Sequence, residues 1–156
     1  MKRIVDKLKS LNKTISTMES CTGGGVANAI TNIEGASEVL KFSAITYSNE
    51  FKIKMGVSSK IIDKYSVYSI ETAMEMSKNI SDFSNSNYGV GITGKLNRVD
   101  KNNLYGSDNT VYISIYDKDI DLCYNYSINV NKEDRIENKE LVINFVKEKL
   151  LEIIGD

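Results

Sequence analysis

Residues 14–25, Thr-Ile-Ser-Thr-Met-Glu-Ser-Cys-Thr-Gly-Gly-Gly, constrain the fold more than any other stretch of the chain. The β-branched run from Thr14 to Thr17 reads as a strand. Glu19-Ser20-Cys21-Thr22 breaks it, and three glycines lead into Val26-Ala27-Asn28-Ala29-Ile30, which reads as a helix. A strand, a tight polar turn and a helix start in that order lift a side chain out of a sheet. The first helical turn then directs N–H groups and a positive partial charge at whatever binds there. Ser20 and Cys21 stand at that point. The plain alternative is a glycine-rich turn without chemistry, with Ser20 as an ordinary helix cap.

The rest of the chain extends this unit. Residues 1–11 predict an amphipathic helix with Ile4, Val5, Leu8 and Leu11 on one face, and Val39 to Tyr47 a second strand. Short helical pieces are expected over 50–64. Ser69 is a predicted N-cap for a helix running to about Phe83, with Ala73, Met76 and Ile80 inward. Tyr88 to Gly94 reads as a buried strand, Lys95 to Asp108 as a polar loop. Thr110–Tyr116 and Leu122–Val130 read as a hairpin turning at Asp117-Lys118-Asp119. A last helix begins near Lys132 and carries Ile136, Leu141, Val142, Phe145, Val146, Leu150, Ile153 and Ile154. Helices alternate with strands early and a hairpin comes late, which predicts an α/β fold: one domain over 1–156 with a mixed five-stranded sheet between helices.

Composition removes several function classes. The 156 residues hold no histidine, so Ser-His-Asp and Cys-His mechanisms are closed and acid–base work falls to Lys, Tyr, Asp, Glu or Cys. Cys21 and Cys123 lie far apart and outside any metal-ligand spacing, so no metal is expected. A net charge of -1 offers no basic field for nucleic acid. No stretch approaches the roughly 18 apolar residues of a membrane span. The N-terminus lacks a signal peptide's apolar core, so the chain is expected in the cytoplasm, its thiols free.

Several short motifs occur in order: Glu19-Ser20-Cys21-Thr22-Gly23-Gly24, Gly35-Ala36-Ser37, Thr46-Tyr47-Ser48-Asn49-x-x-Lys52, Gly56-Val57-Ser58, Ser69 and Thr93-Gly94. Together they resemble the CinA C-terminal domain family, the nicotinamide-nucleotide amidohydrolases, over residues 1–94. The resemblance implies a three-layer α/β/α domain. It also implies hydrolysis of the carboxamide of nicotinamide mononucleotide to nicotinate mononucleotide and ammonia, without a metal or organic cofactor. Larger members carry a further nucleotide-hydrolysing domain, and this chain has the length of the stand-alone form.

The residues supply the parts that amide hydrolysis needs. Ser20 is the candidate nucleophile. Lys52 is the candidate base, which requires desolvation to bring its pKa down from ~10.4. Tyr47 and Ser48 are placed to relay or orient the proton. Thr22, Gly23 and Gly24 offer backbone N–H groups for an oxyanion or a phosphate. Asn49, Thr93, Gly94 and Arg135 complete the expected substrate-binding set. Each has a plainer alternative: lysines are mostly solvated, Cys21 suits a small buried hydrophobe, and Asn49 can serve the loop instead of a ligand. Glu19 either braces the turn or pairs with Lys52.

The resemblance weakens after Thr93-Gly94. The family continues with Ile-Ala-Gly-Pro and more glycine, where this chain reads Lys95-Leu96-Asn97-Arg98-Val99-Asp100 and has no proline at all. Lys95 and Arg98 can bring charge to a phosphate or stand as solvated loop residues. Arg135 occupies the first position of the family's arginine pair near the last helix, and Lys139 the second. The altered loop keeps a second function open, a homologue that binds a nucleotide or a protein partner without turnover. For assembly, a homodimer is the base-rate expectation.

Overall fold

A computed structural model describes residues 1–155. Its sheet has the order β2-β1-β3-β4-β5, with β1 Ile15–Glu19, β2 Leu40–Ile45, β3 Tyr88–Gly94, β4 Thr110–Asp117 and β5 Leu122–Asn129. β1 runs parallel to both β2 and β3, whereas β3–β4 and β4–β5 are antiparallel. The mixed five-stranded sheet follows from that: two parallel β/α crossovers, then a hairpin added at one edge.

Helices α1 (Lys2–Ser10), α2 (Gly25–Thr31) and α6 (Arg135–Ile154) cover one face. There Ile4, Val5 and Leu8 of α1, Val26 and Ile30 of α2, and Val142, Val146 and Leu150 of α6 meet Val90, Ile92, Ile113 and Ile115 of the sheet. Leu11, expected on the inner face of α1, is its C-cap and 42% exposed. In α6 the inward row is Asn138, Val142, Val146, Leu150 and Ile154, while Ile136 and Leu141 face outward. A strict four-residue spacing selects that row. The fully buried Asn138 is tolerated in it because its amide clamps the Lys132 backbone, donating to the carbonyl at 2.9 Å and accepting from the N–H at 2.9 Å.

Helix α5 (Ile70–Ser84) covers the other face, joined by α4 (Ser59–Tyr65), and α3 (Asn49–Lys54) follows β2. Ser69 caps α5 as expected, its hydroxyl accepting from the Thr72 N–H at 3.1 Å. Met76 and Ile80 pack there with Met18 and Val57, but where α5 crosses β3 the interface is thin and lined by small residues. A Cβ at Gly89 would lie 2.0 Å from the Ser77 carbonyl oxygen, and one at Gly91 2.2 Å from that of Ala73. Helix backbone therefore rests directly on strand backbone, with Ser77 and Ser114 hydroxyls bonded across at 3.0 Å. No described helix is long and apolar enough to cross a membrane.

Candidate active site

The strand-to-helix unit at 15–31 is built around a buried carboxylate. Glu19, fully buried at the end of β1, accepts from the Thr22 hydroxyl at 2.6 Å, the Thr17 hydroxyl at 3.0 Å, and the N–H groups of Val26 and Ala27 at 3.1 and 2.9 Å. It thus caps the first turn of α2 from outside the helix, a satisfied anion at a positive helix end. Of the two readings open for Glu19, bracing the turn is the one observed. Gly23 and Gly24, at φ 62° and 90°, adopt the left-handed conformation the turn needs.

This turn holds Ser20 at the mouth of a cleft of about 580 Å³. Lys52, on α3, is 1% exposed and donates to the Ser20 Oγ at 3.0 Å and to the Thr46 carbonyl at 2.7 Å. Two β/α units thus bring together residues 32 positions apart. Burial pulls the Lys52 pKa from 10.5 to about 8, since no carboxylate faces it to offset the loss of water. Beside it, burial pushes the Cys21 thiol up to about 12 against the opposing pull of Lys52 and Arg135, so Cys21 is held as the thiol.

The other predicted site residues divide. Tyr47, Ser48, Asn49, Gly94 and Arg135 line the cleft with Ser20 and Lys52. Tyr47 accepts from the Arg135 guanidinium at 2.9 Å and is 62% exposed, so its bonded partner is Arg135 and not Lys52. Ser48 caps α3, accepting from the Phe51 N–H at 3.3 Å. Thr22 spends its hydroxyl on Glu19, and Thr93, fully buried, donates to the Val67 carbonyl at 2.9 Å. Neither these two nor Gly23 and Gly24 are among the described residues on the cleft lining.

The 95–109 segment forms the far wall. Lys95 is 3% exposed and bonds the Asp108 carboxylate at 3.0 Å, with its ammonium 5.2 Å from the centre of the Tyr68 ring. The Tyr68 phenol donates to Asp100, which also accepts from the Asn103 amide at 2.9 Å, and Asn49 donates to Asn103 at 3.3 Å. Those donors hold the Asp100 carboxyl below its ordinary value, the Tyr68 bond contributing most. Burial, followed by the bond to Asp100, pushes the Tyr68 phenol up. Tyr68, Asp100 and Asn103 were not foreseen as site residues. The one signal in the sequence was the polar character of the segment. Among the described residues no three His, Cys, Asp or Glu side chains converge as a metal site would require.

A CinA-like protein from Kosmotoga olearia is 44% identical over 92 residues, 58% of this chain and 22% of that protein. One from Endomicrobium trichonymphae is 45% identical over 83 residues, 53% of this chain and 19% of that protein. The matched stretch is thus about a fifth of those relatives' length. Among solved structures, the competence/damage inducible protein CihA from Agrobacterium tumefaciens superposes with a TM-score of 0.87 at 26% identity, covering 98% of this chain and 92% of its own. A CinA superfamily protein from Klebsiella pneumoniae reaches 0.90 at 19% identity, covering 98% and 94%, and shares the fold. The CinA C-terminal domain model matches residues 1–154, and the chain belongs to that family.

Proposed function

We propose that the chain hydrolyses the carboxamide of nicotinamide mononucleotide to nicotinate mononucleotide and ammonia, using Ser20 as nucleophile and Lys52 as base. The observation that carries this reading is the buried Lys52 Nζ, 3.0 Å from the Ser20 Oγ with its pKa lowered to about 8. A lysine so placed is a usable base near neutrality and needs no histidine.

In the neutral amine, one N–H keeps the Thr46 carbonyl and the lone pair turns to the Ser20 hydroxyl. Lys52 takes that proton as Oγ attacks the carboxamide carbon. It returns the proton to the amide nitrogen as the C–N bond breaks and ammonia leaves, with a serine ester remaining. Water, deprotonated by the same amine, attacks the ester; Ser20 recovers its proton and nicotinate mononucleotide departs. The negative oxygen of each tetrahedral intermediate needs a donor, and at a strand-to-helix turn the N–H following the nucleophile supplies one. Here that is Cys21, whose N–H donates to no backbone acceptor among the described residues.

The test is ammonia release from nicotinamide mononucleotide by the wild type, Ser20→Ala and Lys52→Ala. Loss to background in the serine variant, and a fall on the order of 10²–10⁴-fold in the lysine variant, is expected. A wild type that releases no ammonia, beside an active relative assayed in parallel, would remove the reading.

A further inference from the structure

The cleft is lined by four cationic side chains, Lys52, Lys95, Arg98 and Arg135, and a single carboxylate, Asp100. Their partners separate them. Lys95 is neutralised by Asp108, and Lys52 is engaged with Ser20 and Thr46. Asp100 forms no ion pair among the described residues: its oxygens accept from the Tyr68 phenol, the Asn103 amide and the Asn102 N–H at 2.9 Å, all neutral donors, so its charge stays in the cleft. Arg135 bonds the neutral phenol of Tyr47. Arg98 makes no ion pair and no side-chain hydrogen bond among the described residues. Arg98 is exposed on the cleft wall, and its guanidinium, unpaired among the described residues, leaves its donors open to solvent or to an anion in the cleft.

The loop around Arg98 is tied on both sides. Before it, the Asn97 amide donates to the Lys132 carbonyl at 3.0 Å, and the Arg98 N–H itself donates to the Asp108 carbonyl at 3.1 Å. After it, Asp100 fastens the chain to Tyr68, which precedes α5, and through Asn103 to Asn49 on α3. The segment that departs from the family pattern is therefore fixed across the cleft, with Arg98 between its fastenings.

We infer that Arg98 reads a phosphate monoester on the ligand, and that Asp100 is a positioning residue that holds the loop presenting it. This rests on reading the cleft as a nucleotide site. The guanidinium offers two parallel N–H donors to two phosphate oxygens, a contact lysine cannot reproduce.

The test is NMR titration of the full chain with ribose 5-phosphate and with ribose, which needs no turnover. The wild type should prefer the phosphate ester, Arg98→Gln should lose roughly tenfold or more in affinity for it, and Arg98→Lys should recover part. Tyr68→Phe, which keeps the ring and the Asp100 charge and removes one donor to Asp100, should weaken ribose 5-phosphate binding as well, and the Arg98→Gln/Tyr68→Phe double variant should bind no more weakly than Arg98→Gln alone. No preference for the ester, or equal affinity in wild type and Arg98→Gln, overturns the assignment; additive losses overturn the positioning role. Phosphate-selective binding without ammonia release would uphold Arg98 and remove the amidohydrolase reading instead.

Discussion

Replacing Lys52 by methionine should abolish hydrolysis and make the protein more stable. The unfolded chain holds this lysine near 10.5, whereas burial brings it to about 8 in the fold. At pH 7 both states are protonated, so the fold carries a charged ammonium it disfavours by about 3 kcal/mol, at 1.36 kcal/mol for each tenfold change in the proton equilibrium. Methionine, of similar length, removes that cost but leaves the Thr46 carbonyl unpaired, returning about 1–3 kcal/mol. The net gain is up to about 2 kcal/mol, or at most about 4–8 °C in melting temperature for a domain of this size. The sign with pH is specific. Between about 8 and 10.5 the unfolded chain binds more protons at Lys52 than the fold, so wild-type stability from this group rises with pH. The advantage of Lys52→Met should accordingly shrink across that interval and reverse before its end, where the neutral lysine still donates to the Thr46 carbonyl and methionine cannot. Urea denaturation of both proteins from pH 7 to 10.5 measures this directly. A methionine variant less stable than wild type at pH 7, or a gain indifferent to pH, would refute the reasoning.

Other outcomes follow from the same site. The kcat/KM for ammonia release should climb with pH to a plateau, with an apparent pKa near 8, because the neutral amine of Lys52 is the working form; a flat profile from pH 6 to 9 would count against it. Glu19→Gln places an amide NH₂ among four donors, so unfolding should come at least about 2 kcal/mol earlier by urea titration. With Cys21 buried and its thiol pushed up to about 12, a native thiol titration at pH 8 should find Cys123 alone reactive, and both cysteines only in denaturant.

The elements were legible where local pattern and tertiary demand agree. The strand-turn-helix at 15–31, the Ser69 cap and the late hairpin each declare themselves in a few neighbouring residues. Ile136 and Leu141 misled because helical periodicity permits more than one stripe, and an asparagine in the true stripe hides it until its partners at Lys132 are seen. Lys52 could be suspected from its motif, but its burial depends on α3 carrying it against the Ser20 turn and the Thr46 carbonyl. The fastening of Tyr68, Asp100, Asn103 and Asn49 joins residues up to 54 positions apart, and no local rule reports that. Thr93 shows the converse: a motif threonine whose hydroxyl is consumed by the Val67 carbonyl.

The backbone-on-backbone seam at Gly89 and Gly91 has a mechanical consequence. Side chains can yield by rotating, but two peptide planes in contact cannot, so α5 and β3 move as a single plate. The 95–103 wall is fastened to that plate through Tyr68, so it can be rewritten in sequence while the serine and lysine keep their spacing.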